Sequence, residues 1–324
     1  MPILAAIGPT GPTKPPGPPK DNRYIAFRAL DGSDLIEWST DAWIAQDKAT
    51  GLDAPPVNLT TSKYQGLPGS RLDAVDVDER EVFLPLWIRP TSRDFHDVMA
   101  GLARVQAMAD HYGKDYQSHE GTFDLLGYCD GVERSLRVAY KSGLEGNYGY
   151  PDDFSIWRMF PLTLLAADPH AKGARWATET LKMPDAVPFL RAATADAGDL
   201  RLASDRALGQ RMPVTVGGNV PSAAVIEIGG EGSSVHVTYP GGGDITIAGP
   251  FGPTSTFTLD TGRNGYAALN GVASDAAWAR VHPSSYWPPL PPSDAEITIQ
   301  INDATATSWA RVSGVEQWRG LWGG

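Results

Sequence analysis

The chain has 324 residues, of which 42% are hydrophobic and 20% are charged, and its formal net charge is −11 at pH 7. This length is long for one core and suits two domains, while abundant Gly, Pro, Thr and Trp favour strands and turns over helical bundles. The acidic balance argues against nucleic acid as a tightly bound partner, because phosphate contacts need clustered Lys and Arg.

The single cysteine, Cys129, excludes an intrachain disulfide framework, so the fold does not depend on an oxidising compartment. The N-terminus has no basic region followed by an apolar core, so we expect no secretory signal. No apolar run is long enough to cross a bilayer. We therefore expect a soluble chain made in a cytoplasm, with no membrane association and no cofactor.

The first 71 residues predict an arm, a hairpin and a long loop. Residues 1–20 are rich in Pro and Gly and indicate an extended arm of polyproline type. Strands at 24–30 and 35–39 flank Asp31-Gly-Ser-Asp34, which is a hairpin signal. Residues 41–71 are rich in Gly, Pro and polar residues, which indicates a projecting loop or arm with a possible short strand at 57–61.

A strand and one helix are predicted next. The strand is Glu81–Arg89, in which Pro85 suggests a sheet edge or a bulge. The helix is predicted over Ser92–Tyr112, because apolar residues recur there at helical spacing and Gly113 suits its end. Its apolar stripe should lie against a sheet.

The remainder predicts strands. Three of them, at 121–125, 132–140 and 154–166, complete the first half, and residues 171–211 give no clear pattern. From residue 212 onward, Gly-rich turns separate strands at a spacing typical of a β-sandwich. These strands are predicted at 214–216, 224–228, 235–239, 245–248, 255–260, 266–269, 297–301 and 307–312.

Candidate reaction centres have simpler explanations. Gly127-Tyr-Cys129-Asp-Gly131 has the spacing of a nucleophile elbow, but that motif needs a following helix, and the alternating residues after it favour a hairpin. Gly241-Gly-Gly-Asp244 is also followed by strand residues, so it indicates a turn and not a phosphate loop. The six histidines show no paired ligand spacing, and we expect neither a metal site nor an enzyme.

Aromatic residues are frequent late in the chain and leave two alternatives open. They could form a sugar-stacking platform, or they could pack in a core and contact protein partners, and the second is favoured because Trp is a typical interface anchor. The runs by which galectins bind galactosides are absent. The candidate contact residues are Trp278, Tyr286, Trp287, Trp309, Trp318 and Trp322.

Several short motifs occur in an order that resembles the distal tail protein of long-tailed, siphovirus-type bacteriophages, also called a minor tail protein. The first half has Gly121-Thr-Phe-Asp-Leu125, then Glu133-Arg-Ser-Leu-Arg-Val-Ala-Tyr140, and ends on Ala167-Asp168-Pro169. The second half has Val216-Gly-Gly-Asn-Val-Pro221 and closes on Val315-Glu-Gln-Trp-Arg319. The resemblance covers most of the chain from about residue 24, whereas residues 1–20 have no counterpart in the family.

The resemblance implies a mainly β protein of two domains. An N-terminal, β-sandwich-like domain with one α-helix would occupy residues 21–170 and close into a homo-oligomeric ring, a hexamer. A C-terminal, galectin-like antiparallel β-sandwich would occupy residues 171–324. The loop over residues 41–71 is the candidate for the arm that embraces the next subunit, with Lys63, Tyr64 and Arg71 as candidate contact residues.

The same resemblance implies a structural role in the virion. The ring would join the tail tube protein to the tail-tip and fibre proteins of the baseplate, after assembly in the host cytoplasm. DNA would pass through its lumen without specific binding, and acidic side chains lining that lumen would repel phosphates. The alternative is a carbohydrate-binding module or adhesin that recognises the host cell wall.

Overall fold

The structure is a computed structural model that describes residues 23–38, 43–45, 48–63, 68–88, 95–109, 121–129, 131–145, 158–182, 208–262 and 265–322. These residues form antiparallel sheets and two helices, so the predicted mainly β class is confirmed. The predicted arm over residues 1–20 lies outside the described residues. No helix in the described ranges is both long and apolar enough to span a bilayer.

The first half of the chain contains nine strands and one helix among its described residues. They are β1 (Arg23–Arg28), β2 (Leu35–Glu37), β3 (Trp43–Ala45), β4 (Val57–Ser62), β5 (Arg71–Val77), β6 (Arg80–Ile88), α1 (Phe95–Met108), β7 (Thr122–Cys129), β8 (Val132–Ser142) and β9 (Arg158–Ala166). The predicted hairpin around Asp31-Gly-Ser-Asp34 is confirmed as β1 and β2. The predicted helix is also confirmed, although its two ends fall outside the described residues.

The part of the second half that the structure describes continues with eleven strands and a one-turn helix. They are β10 (Ala171–Ala177), β11 (Leu181–Lys182), β12 (Leu208–Thr215), β13 (Ala224–Gly229), β14 (Gly232–Tyr239), β15 (Gly243–Phe251), β16 (Thr256–Asp260), β17 (Ala267–Leu269), β18 (Val272–Ala273), α2 (Asp275–Trp278), β19 (Asp294–Asn302) and β20 (Trp309–Trp318). The Ser274 hydroxyl caps α2 by accepting a hydrogen bond from the backbone amide of Ala277.

The first body is a curved sheet around one core. Strands run in the order β2-β1-β7-β8, and β8 then pairs with β9, which pairs with β6 and through it with β3. Period-two alternation explains this arrangement, because every second residue of β6 faces inward, as Val82, Leu84 and Leu86 do. The helix α1 adds Leu102 and Val105 to the same core.

The second body is a two-layer antiparallel sandwich. One layer has the order β18-β17-β16-β13-β20-β10, and the other has the order β12-β19-β14-β15. Inward residues of both layers, such as Ile226, Val237 and Ile299, form a second core. This architecture agrees with the galectin-like sandwich that the resemblance implies.

The two bodies share one continuous sheet. Strand β10 pairs along β20, and it also meets β8 at a single register pair, Lys172 with Ser135. The last described residues, 318–322, leave β20 and enter the first core, where Leu321 is buried. The domain division at residue 170 stays a prediction, and the first core includes residues from both sides of it.

Two details of the sequence-based prediction were wrong. Residues 41–71 do not form one loop, because Trp43–Ala45 pairs with β6, and Thr50 forms a bridge with Phe83. The projecting element is instead the hairpin of β4 and β5, which extends to Val77. Pro85 marks neither an edge nor a bulge, since β6 pairs without interruption along β9 and also contacts β3 on its other side.

Candidate functional site

The hairpin of β4 and β5 forms a separate two-stranded sheet that projects from the first body. A hydrogen bond of 3.2 Å from the Asp78 amide to the Pro56 carbonyl closes its base. Every residue of β5 is exposed, and so are the first five residues of β4. Strand β5 pairs with β4 and with no other described strand, so the hairpin does not fold back on β6.

One face of this hairpin is apolar. Direct cross-strand partners share a face of a sheet, and the register pairs Val57 with Val77, and Leu59 with Val75. A bulge at Asp73 brings Leu72 opposite Thr61, on the same face. We call these five aliphatic residues the hairpin face: Val57 (52% exposed), Leu59 (57%), Leu72 (52%), Val75 (54%) and Val77 (41%).

The opposite face of the hairpin is polar. It carries Asn58 opposite Asp76, and Thr60 opposite Ala74. The hairpin is therefore amphipathic, and no other element among the described residues buries its apolar side. An isolated two-stranded hairpin is marginally stable in water, and an unburied apolar face of this kind is typical of a surface that a partner covers.

Two of the three predicted arm residues, Lys63 and Arg71, lie near the tip of this hairpin. Lys63 is exposed immediately after β4, and Arg71 opens β5 with a side chain that is 70% exposed and lies 3.7 Å from the Asp73 carboxylate. Tyr64 lies outside the described residues. The aliphatic residues of the hairpin face were missed, although their signal is present in the sequence: Val57 and Leu59 alternate with polar residues, as do Val75 and Val77.

The six aromatic candidates do not form one platform. Trp278 and Trp287 lie with ring centroids 6.3 Å apart and pack against the second core. Trp318 and Trp322 pack against the first core. Trp309 lies against Gly229 on the neighbouring strand. Tyr286 differs from them, because 60% of it is exposed. Their role as partner or glycan contacts stays a prediction.

The motifs that could suggest catalysis occur in hairpins. Cys129 ends β7 and pairs with Val132 across a turn that contains Gly131, so no helix follows it. Gly241 and Gly242 form the turn between β14 and β15. Within the described ranges, no group of three or more His, Cys, Asp or Glu side chains is arranged to hold a metal ion.

One titratable group near the junction of the two bodies has a shifted pKa. Burial holds the pKa of His170 below its usual value. The positive charges of Arg80 and Arg319 lower this pKa further, whereas the negative charge of Asp168 raises it. Arg80 itself is completely buried, and burial lowers its pKa to about 10, so its guanidinium group stays charged at neutral pH. These groups belong to a structural junction between the two bodies.

Two antiparallel β bodies joined through one sheet, with a single long helix on the first, define the fold. Among solved structures, the Dit protein of phage SPP1 shares it, with a TM-score of 0.58 and 13% sequence identity over 91% of this chain and 98% of that chain. The expected likeness to a distal tail protein is thus confirmed for the fold.

Two structures of the phage P2 baseplate in its activated conformation also align with the chain. The structure with Ca has a TM-score of 0.48 and 10% identity, covering 91% of this chain and 97% of that chain. The structure with Sr has a TM-score of 0.46 and 9% identity, covering 90% and 97%. No family model and no curated protein matches the sequence.

Proposed function

We propose that this chain is a structural protein of a phage tail tip that assembles into a ring. The fold supports the proposal, because nearly the whole chain aligns with the SPP1 Dit protein, which is described as a paradigm of the hub adsorption apparatus in phages that infect Gram-positive hosts. A distal tail protein of this type works by contact with its neighbours and has no reaction centre.

The observation that carries the proposal is the hairpin face. Its five aliphatic side chains remain about half exposed. Burying them against a partner would stabilise the complex by a free energy on the order of 5 kcal/mol. We infer that a second copy of the chain covers this face, and that the hairpin is the arm assigned at first to residues 41–71. A contact between a projecting arm and a different surface of the next subunit is heterologous, and such contacts close a ring when the rotation is right.

The ring is proposed to be a hexamer that joins the tail tube protein to the tail-tip and fibre proteins. Lys63, Tyr64 and Arg71 would then lie where the arm meets its neighbour. DNA would pass through the lumen, and the net charge of −11 would keep the wall from binding phosphates. Retention of double-stranded DNA by the purified ring at low salt would contradict this view of the lumen.

A pair of matched variants tests the role of the hairpin face. Leu59→Asp and Thr60→Asp add the same charge to adjacent residues on opposite faces of the hairpin. We expect light scattering and negative-stain images to show rings for the wild type and for Thr60→Asp, and folded monomers for Leu59→Asp. Rings formed equally well by Leu59→Asp would refute the assignment of the arm, and a wild-type chain that remains monomeric would contradict self-assembly.

A further inference from the structure

The last described residues of the chain form part of the first core, although the strand that precedes them belongs to the second body. Strand β20 pairs with β13 and β10 within the sandwich. Residues Trp318–Trp322, which we call the tail segment, then reach the first body, where Leu321 is 1% exposed. The Leu321 amide donates a hydrogen bond of 2.8 Å to the Leu52 carbonyl of that body.

Two buried arginines of the first body hold the tail segment. The guanidinium carbon of Arg134 lies 3.6 Å from the centroid of the Trp318 ring, and the same side chain donates a hydrogen bond of 3.3 Å to the Gly320 carbonyl. A stacked guanidinium group of this kind is attracted by the face of the indole. Arg80 donates to the Arg319 carbonyl from a position with no exposed surface. Both arginines thus donate hydrogen bonds to backbone carbonyls of the tail segment.

A glycine of the first body leaves room for the segment. A Cβ atom at Gly127 would lie 2.9 Å from the Leu321 Cβ and 3.0 Å from the Trp322 indole nitrogen. Gly127 lies within β7, opposite Arg134 on β8. The first body thus has a binding site for the tail segment, between Gly127, which has no side chain, and the Arg134 guanidinium group on the neighbouring strand. We call this binding site the seat.

The other described link between the two bodies is short. The chain crosses between them at residues 166–171, where Ala171 is buried in the first core, and β10 lies beside β8 with one register pair, Lys172 and Ser135. The tail segment adds the contacts of Arg319, Gly320 and Leu321 to this link. We propose that the tail segment is an interdomain latch that sets the orientation of the sandwich on the first body, and that its release lets the two bodies move relative to each other.

This inference goes beyond the proposed function and does not depend on it, because it concerns one copy of the chain. A latch made of hydrogen bonds and stacking can open without unfolding either body, since each body retains its own remaining core. The sandwich would then change its direction relative to the first body, which is a hinge motion of the kind that switches assemblies between states.

The variant Gly127→Val of the full chain tests the latch, because its side chain would occupy the seat without altering the tail segment. Gly209→Val is the matched control, since Gly209 lies on a strand and its added Cβ would have neighbours no closer than 3.9 Å. We expect hydrogen exchange at the Leu321 amide to be roughly tenfold or more faster in Gly127→Val, with β6 and β14 still protected. X-ray scattering should show a larger maximum dimension for Gly127→Val at an unchanged oligomeric state.

Unchanged protection at Leu321 would show that Gly127 does not form the seat of the segment. Faster exchange with an unchanged scattering curve would overturn the role in orientation. If Gly127→Val does not fold, hydrogen exchange at Leu321 and X-ray scattering are measured on Trp322→Ala, which removes the indole that lies against Gly127. Unchanged protection at Leu321, or an unchanged scattering curve, would then contradict the latch.

Discussion

Trp176 of β10 and Gly314 of β20 are direct cross-strand partners, and the Trp176 indole occupies the space into which a side chain at position 314 would project. The indole nitrogen of Trp176 donates a buried hydrogen bond of 3.2 Å to the Ser222 hydroxyl. A tryptophan lies against a glycine in three further pairs: Trp309 with Gly229, Trp318 with Gly173, and Trp322 with Gly127. Each of these four tryptophans therefore has a packing partner within the chain.

Replacing Gly314 with valine should destabilise the sandwich strongly. The new side chain would collide with the Trp176 indole, and overpacking of a core commonly costs about 1–3 kcal/mol. We expect a loss near the upper end of this range, because the indole would also lose its hydrogen bond to Ser222. Urea denaturation measures the change, with Gly209→Val as the control that should stay within about 0.5 kcal/mol. Equal stability of the two variants would contradict the packing argument.

Arg80 should matter for stability although it makes no salt bridge among the described contacts. The variant Arg80→Met keeps a long side chain but leaves the part-buried Arg319 carbonyl without its donor, and the loss of a hydrogen bond to a charged group costs about 1.5–3 kcal/mol. The exposed Arg71→Met change removes the same charge and should shift the free energy of unfolding by less than about 0.5 kcal/mol. An unfolding midpoint for Arg80→Met that equals the wild type would show that the buried guanidinium group is dispensable.

The stability of the chain should fall on mild acidification because of His170. Burial lowers the pKa of His170 in the folded state, so the unfolded chain takes up this proton at a higher pH than the folded chain does. The stability that neutral, buried His170 contributes is fully present above its pKa in the unfolded chain, which is about 6.5. It is lost as the pH falls from there towards the lower pKa of His170 in the folded chain. His170→Gln should reduce this loss between neutral pH and pH about 5, measured by thermal unfolding.

The groups that face His170 are the Asp168 carboxylate, Arg80 and Arg319, and Lys172 also lies 3.6 Å from Asp168. If His170→Gln and the wild type lose stability in parallel as the pH falls, another group must cause the acid dependence.

Tyr286 and Trp287 are neighbours with different roles, and alanine variants should separate them. Trp287 packs against the second core, so Trp287→Ala should cost about 2–3 kcal/mol. Tyr286 is 60% exposed, so Tyr286→Ala should change the free energy of unfolding by less than about 0.5 kcal/mol. Denaturant unfolding measures both changes.

The same two variants test the carbohydrate-binding alternative. We expect no retention of the wild-type chain on cell-wall glycans, because most of the aromatic candidates pack against the two cores. Retention that disappears in Tyr286→Ala at unchanged stability would instead favour glycan recognition as the function of the second body.

The strands and the helix whose apolar residues recur at a clear period were predictable from the sequence. Strands such as β14, with inward Val235 and Val237, and the helix α1, with its apolar spacing, depend on local periodicity. The turns at Gly131 and Gly241 were predictable for the same reason, because glycine tolerates the positive φ that these turns require.

The relationships between distant segments were not predictable. Arg80 resembles any strand-end arginine in the sequence, and its burial depends on carbonyl groups at residue 319, which lies 239 positions away. The hairpin face was overlooked for a different reason: Gly, Pro and polar residues around it indicated a loop, and its alternation spans only a few residues on each strand. Contacts of this kind follow from the assembled fold and leave little local signal.

Strand β20 and the tail segment also govern how the native state is reached. Residues 309–318 lie between β13 and β10 in the sandwich, and residues 318–322 complete the core of the first body. Domains made on the ribosome usually fold in order from the N-terminus, but here the sandwich lacks strand β20 until residue 318 has emerged from the exit tunnel, and the first body lacks its contacts with the tail segment until residue 322 has emerged. The newly made chain must therefore remain incomplete, with apolar sheet surface uncovered, until translation has passed both bodies.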